Sequence, residues 1–349
     1  MRKNILFPFA VIISTVVLIR IYNKSIISNI NDGFVAATTT LSNKYICGAT
    51  EFKCVNNIIK DLNKNNHHLL IIGNSQLGTI NQKNKNETSY GNQLSLVLEK
   101  NNKDLIARSI WLANINFREI EIIISSIKKC TPNLKHIIIP AFLDDTREKN
   151  VRDSIKTFEK NICSVEEKKI YPIYEKNDKE KTNSTLINNL ILTKVPILNN
   201  LQNLNDKFRN SLYQLRNTVF GIKPSTKRRI IPSAYKSNIN ALKNLKEISE
   251  GKLILYIPPL LYAAYSDKIP YENESYKAFK ETIIKICNSY QRCIYKDLDQ
   301  SVPDNLWGEK NSTSLFKDKE LDFMHFNYKG HVVFTYVIYE VLKNHNLIN

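Results

Sequence analysis

The chain has 349 residues, of which 42% are hydrophobic and 24% charged, an ordinary globular balance that excludes a wholly disordered chain. Its formal net charge is +17, which favours anionic surfaces. The basic residues are nevertheless scattered, with no Arg-rich block and no nucleic-acid-binding module, so nucleic acid is not an expected partner.

Arg2 and Lys3 precede an apolar run from Ile5 to Ile19, closed by Arg20. The run is apolar on every face, lies near the short end for a spanning helix, and lacks an adjacent small-residue cleavage site. Residues 1–24 therefore read as a membrane anchor, with a cleaved signal peptide as the other export reading, and residues 25–55 as a polar stalk. Export would suit disulfides. Cys47 lies near Cys54 and Cys287 near Cys293, leaving Cys130 and Cys163. Three bridges are open, among 15 pairings in principle. No Cys-x-x-Cys spacing occurs, and His67-His68 has no partner ligands at metal spacing, so no metal site is expected.

The body begins with a helix over 52–66. His68 to Gly73 is a short apolar run closed by Gly, the pattern of a buried parallel strand. A helix over 92–101, a strand over 105–113, a helix over 117–129 and a buried strand over 134–142 follow. Residues 146–250 break the alternation: a highly charged stretch precedes Leu and Ile at helical spacing, a segment read as an inserted cap or a membrane-surface element. The pattern resumes with a strand over 253–257, a helix over 276–290, a strand over 293–298 and an apolar helix over 332–342. Alternation of this kind specifies an α/β fold with a parallel sheet, here one domain over 56–349 interrupted by the 146–250 insertion.

Two short motifs carry chemistry. Gly73-Asn74-Ser75 follows the first buried strand directly, and a strand-to-helix turn presents a Ser hydroxyl and backbone N–H groups at the carboxyl end of a sheet. Asp322 precedes His325 by three residues, ahead of Gly330 and the last helix. That spacing lets a carboxylate hold an imidazole in one tautomer and stabilise its charged form. Each motif alone also reads as turn or capping chemistry.

Together, Gly-x-Ser after the first strand and Asp-x-x-His-x-x-x-x-Gly before the last helix resemble the SGNH (GDSL-like) hydrolase superfamily, over roughly 66–145 and 250–345. The resemblance implies a flavodoxin-like three-layer α/β/α sandwich, with Ser75 as nucleophile, His325 as base and Asp322 as its orienter. It implies an acyl-serine intermediate and no cofactor. Asn74 stands where the family has Asp, and it counts with the oxyanion and substrate-binding candidates. The second family block, which normally supplies a Gly N–H to the oxyanion, corresponds to Leu112-Ala113-Asn114-Ile115-Asn116, so Asn114 and then Asn116 are the candidate donors. The third block, normally Gly-x-Asn-Asp, is replaced by Pro140-Ala141-Phe142-Leu143-Asp144-Asp145, of which Asp144 and Asp145 read as cleft-mouth residues or a helix cap. Loss of the third block together with an anchor looks like the membrane-associated branch that includes the DltD and AlgX families. That likeness implies an extracytoplasmic esterase or O-acyltransferase acting on acylated cell-surface glycans or polymers, beside a membrane-bound O-acyltransferase. A non-catalytic glycan-binding or assembly module on the same fold is the alternative.

Overall fold

Short apolar runs bounded by Gly and Pro become parallel strands here because both faces of the sheet are covered by helices, so no polar alternation is needed. The computed structural model describes residues 45–64, 68–84, 87–101, 105–132, 134–162, 214–215, 217–219, 227–261, 271–311 and 319–348. The chain divides into two units, 1–44 and 45–349, and every described residue belongs to the second. The anchor expected over 1–24 and most of the expected stalk thus lie outside the described residues. Among the described residues, no helix is long and apolar enough to cross a membrane.

Six parallel strands form the central sheet: β1 (Ile46–Gly48), β2 (His68–Gly73), β3 (Ile106–Trp111), β4 (His136–Pro140), β5 (Leu253–Ile257) and β6 (Cys293–Asp297), in the order β1-β3-β2-β4-β5-β6. Without the added edge strand β1, this is the flavodoxin-like strand order. Helices α1 (Phe52–Leu62), α2 (Ser75–Gly78), α3 (Tyr90–Asn101), α4 (Phe117–Cys130), α5 (Pro232–Ile248), α6 (Asn273–Asn288) and α7 (Tyr328–Asn344) connect the strands or flank the sheet. Side chains alternate across each strand. Leu70, Ile72, Ile137, Ile139 and Leu255 therefore join one core with α1, α4, α5 and α6, while Leu69, Ile71, Ile138 and Tyr256 join the other with α3 and α7. Helix α1 shows the pattern plainly, burying Val55, Ile58, Ile59 and Leu62 at helical spacing.

Two boundaries differ from the sequence reading. The stalk was expected to run to residue 55, but Ile46–Gly48 pairs with Ser109–Trp111 as the sheet edge, and a Cys47–Cys54 disulfide fastens that strand to α1. Likewise, the expected insertion 146–250 contains α5, which packs on α4 as the crossover helix leading to β5; Pro232 opens it at the first helical turn. The segment over 163–213 lies outside the described residues. Of the other cysteines, Cys287 and Cys293 are bridged, joining α6 to β6, and no described cysteine is free. His68 is a core residue: its Nε2 accepts the Lys135 N–H at 3.2 Å.

An antiparallel hairpin, β7 (Trp307–Asn311) and β8 (Lys319–Phe326), leads into α7. Trp307 pairs with Phe326 and Glu309 with Leu321, so Gly308 alone stands opposite the four residues 322–325. That bulge is the feature that forms the site.

Candidate active site

The nucleophile turn is built by close packing. Strand β2 ends at Gly73, a glycine because an added Cβ would lie 2.5 Å from the Pro140 ring of β4. Asn74, in extended backbone, caps α2 by accepting the Gln76 N–H at 3.0 Å. Ser75 is the first residue of α2 and is partly exposed. The turn lies at the carboxyl ends of β2 and β4, where the strand order reverses, the usual position for α/β sites.

The β8 bulge meets this turn. His325 Nε2 is 2.9 Å from Ser75 Oγ, and His325 Nδ1 is 2.9 Å from Asp322 Oδ2. The serine donates to the ring and the ring donates to the carboxylate, giving a continuous Ser-His-Asp chain. Asp322 and His325 stand within β8, where the bulge turns both inward. Asp322 Oδ1 also accepts the Met324 and His325 N–H groups, at 3.0 and 3.2 Å. Burial alone would raise the Asp322 carboxyl. The His325 hydrogen bond and charge, the Met324 N–H and Lys310 outweigh it and hold the group below the usual carboxylate value. Gln76 fastens the two loops together, donating to Met324 O at 2.9 Å and Pro259 O at 3.0 Å.

The three asparagines proposed from sequence have different fates. Asn74 and Asn116 both line the cleft, but their side chains are committed. Asn74 caps α2 and donates weakly to Asp145 Oδ1 at 3.4 Å. Asn116 forms a capping box with Glu119 and donates to Asn150 O at 3.0 Å. Asn114 is exposed, lines the cleft and has φ 51. That left-handed conformation suits Gly first and Asn next, which fits Asn at this position. The backbone N–H groups of Ser75 and Asn114 have no acceptor among the described residues.

Sequence reading missed the clamp on this loop. Arg152 donates to Ala113 O at 2.7 Å and Asn114 O at 3.3 Å, and pairs with the buried Glu119 carboxylate. A trans peptide points its C=O and N–H in opposite directions, so holding Ala113 O turns the Asn114 N–H away from Arg152. Glu119 caps α4 locally, whereas its partner Arg152 lies 33 residues away, which no local pattern announces. Arg152→Met should lower stability by ~3 kcal/mol, since it strands a buried carboxylate, and should reduce turnover by about tenfold or more through loosening of the 113–114 peptide. Thermal melts and steady-state kinetics would check both, and an unchanged turnover would remove the loop from the site.

The cleft over the triad has a volume of about 960 Å³, and most of the residues lining it are polar or charged. Arg147 and Arg228 both pair with Asp144 at its wall. Asp145 serves both roles anticipated for it, lining the cleft and accepting the Phe142 N–H to cap a 3-10 turn over Leu143–Thr146. Burial above all, and then the charge of Asp144, push the Asp145 carboxyl well up toward its neutral form.

No family model matches this chain, and neither does any curated protein. Solved structures do. One is a carbohydrate acetylesterase family member from Sinorhizobium meliloti, 8% identical, covering 79% of this chain and 97% of that one at a TM-score of 0.38. Another is an α/β hydrolase enzyme from the metagenome of Lake Arreo, Spain, 11% identical, covering 82% and 97% at 0.40. The chemical reading rests on the geometry described above.

Proposed function

We propose that this chain is a serine esterase or O-acyltransferase of the SGNH type. The observation that carries the reading is the hydrogen-bonded Ser75–His325–Asp322 chain, assembled from two segments 250 residues apart. His325 removes the Ser75 proton as Oγ attacks an ester carbonyl, and the negative charge on the carbonyl oxygen is met by the Ser75 and Asn114 N–H groups. The protonated imidazole then gives that proton to the departing alkoxide, so an alcohol leaves and an acyl-Ser75 remains. Water or a second hydroxyl next attacks the acyl-serine, with His325 again taking and returning the proton. Asp322 stays ionised throughout and stabilises the imidazolium.

The cleft wall offers few apolar side chains, namely Val151, Phe323 and Met324, among many charged ones. That lining suits a small acyl group on a polar, carbohydrate-like partner better than a long lipid chain. An acylated cell-surface glycan or polymer is the substrate class we favour, with the chain anchored through residues 1–24, its catalytic domain extracytoplasmic, and a membrane-bound O-acyltransferase as donor-side partner.

The deciding experiment treats the full-length chain in detergent with a fluorophosphonate probe and reads intact mass. Wild type is expected to gain one adduct, and Ser75→Ala none, with turnover of an activated acetyl ester falling by more than about 10⁴-fold. An unlabelled but folded wild type would favour the binding module on the same fold. Adding a sugar acceptor then separates transfer, which yields acylated sugar, from hydrolysis, which does not.

A further inference from the structure

The Asp322 carboxylate accepts a further side-chain hydrogen bond beside that of His325. Asn81 Nδ2 donates to Asp322 Oδ2 at 3.0 Å, the oxygen that also accepts from His325. Asn81 is buried, and its own backbone N–H donates to Phe326 O at 3.1 Å, one residue beyond His325. It lies three residues beyond the end of the nucleophile helix α2, and the next residue, Gln82, takes φ 54 to turn the chain there. The amide orientation is dictated by chemistry, because the reverse would set its oxygen against a carboxylate.

The opposite face of Asn81 explains Gly308. A Cβ at Gly308 would lie 2.1 Å from Asn81 Oδ1 and 2.3 Å from its Cγ. The residue facing the bulge is therefore a glycine where Asn81 must pass to reach Asp322. One segment thus carries the nucleophile and, six residues on, the group that orients its acid.

We propose that Asn81 is a positioning residue of this site, a fourth member of the network that sets the rotamer of Asp322 and through it the ring of His325, and that Gly308 is the space it requires. The inference rests on the Ser75 reading, and its test separates the two. With four donors around it, from Asn81, His325 Nδ1 and two backbone N–H groups, the carboxylate has a single allowed orientation.

The experiment measures fluorophosphonate labelling rate and kcat on an activated acetyl ester in the full-length chain, for wild type, Asn81→Ala, Asn81→Asp, Gly308→Ala and the Asn81→Ala/Gly308→Ala double variant. Asn81→Ala should lower kcat and labelling by about 10- to 100-fold with KM unchanged, the scale of one hydrogen bond to a charged group. Asn81→Asp is near-isosteric. Its introduced carboxyl donates to Asp322 when protonated and repels it when ionised, so the ratio of its activity to that of Asn81→Ala should fall as pH rises. Taking the ratio cancels the titration of the base itself. Gly308→Ala should lose activity comparably, and the double variant should lose less than the product of the two single losses. Wild-type kcat in Asn81→Ala, or a ratio independent of pH, would overturn the proposal while leaving Ser75 in place. If Asn81→Ala fails to fold, the pH dependence of Asn81→Asp against wild type decides. A wild type that neither labels nor turns over would overturn the Ser75 reading and this inference with it.

Discussion

Asp322→Asn is expected to lower kcat by about 10⁴-fold, the scale seen when a triad acid becomes an amide and the imidazole is held in the wrong tautomer. Here the geometry leaves the amide no good orientation. With its NH₂ in place of Oδ2 it faces two donors, Asn81 Nδ2 and the His325 Nδ1–H. With its NH₂ in place of Oδ1 it faces the Met324 and His325 N–H groups. The first orientation is the less damaging if His325 moves its proton to Nε2, which directs a donor at Ser75 Oγ and ends its role as base. The second leaves two backbone donors unpaired, at roughly 1–3 kcal/mol each. Fluorophosphonate labelling should therefore fall along with kcat, and the melting temperature should drop by several degrees. A variant that kept labelling within tenfold of wild type would show that Asp322 does not orient the base.

The parts of the fold that were legible in the sequence are those with local causes. β2 and β5 are continuous apolar runs that end at Gly73 and before Pro258, and their observed bounds match those read from the sequence. The Ser75 turn and the Asp322/His325 pair were legible because each is a short motif at an element boundary. β1 was not: three residues ending in Gly show no period, and the strand exists through its pairing with β3 and the Cys47–Cys54 bridge. β8 was hidden for a different reason. Its bulge breaks the two-residue alternation at the positions that matter, so no strand was read over 319–326. α5 lay inside a segment read as an insertion, because the charged stretch before it masked the resumption of the pattern. Asn81 and Arg152 could not be found at all. Their partners lie 241 and 33 residues away, and nothing in a polar side chain announces a distant partner.

Acidification should destabilise this protein through His331, before the depressed Asp322 carboxylate titrates. His331 is fully buried beside the site. Its Nδ1 accepts the Tyr90 N–H and its Nε2–H donates to Thr79 O, each at 3.1 Å, while the ring stacks on Tyr90 and meets Phe326 edge-on. Both nitrogens are therefore satisfied by the neutral ring alone, since a protonated ring would present a second donor to the Tyr90 N–H. Burial above all pushes its pKa down to about 3, the Thr79 carbonyl opposing and the charge of His325 adding. The unfolded chain takes up the proton near pH 6.5, so between those values the unfolded state binds more protons and stability falls as pH falls. The slope reaches about 1.4 kcal/mol per pH unit, or roughly 2 kcal/mol between pH 6.5 and 4.5. Asp322 acts in the same direction but later: its depressed carboxyl contributes stability that is present above its unfolded value and lost as pH falls through the folded one. A charge of +17 adds a general acid slope, so the decisive quantity is a difference between variants. His331→Gln, melted in urea at several pH values, should be less stable than wild type at pH 7.5 but lose about 2 kcal/mol less between pH 6.5 and 4.5. Parallel slopes in the two proteins would mean that the ring gains its proton in the folded state, and that the contacts with Tyr90 and Thr79 give way without unfolding the chain.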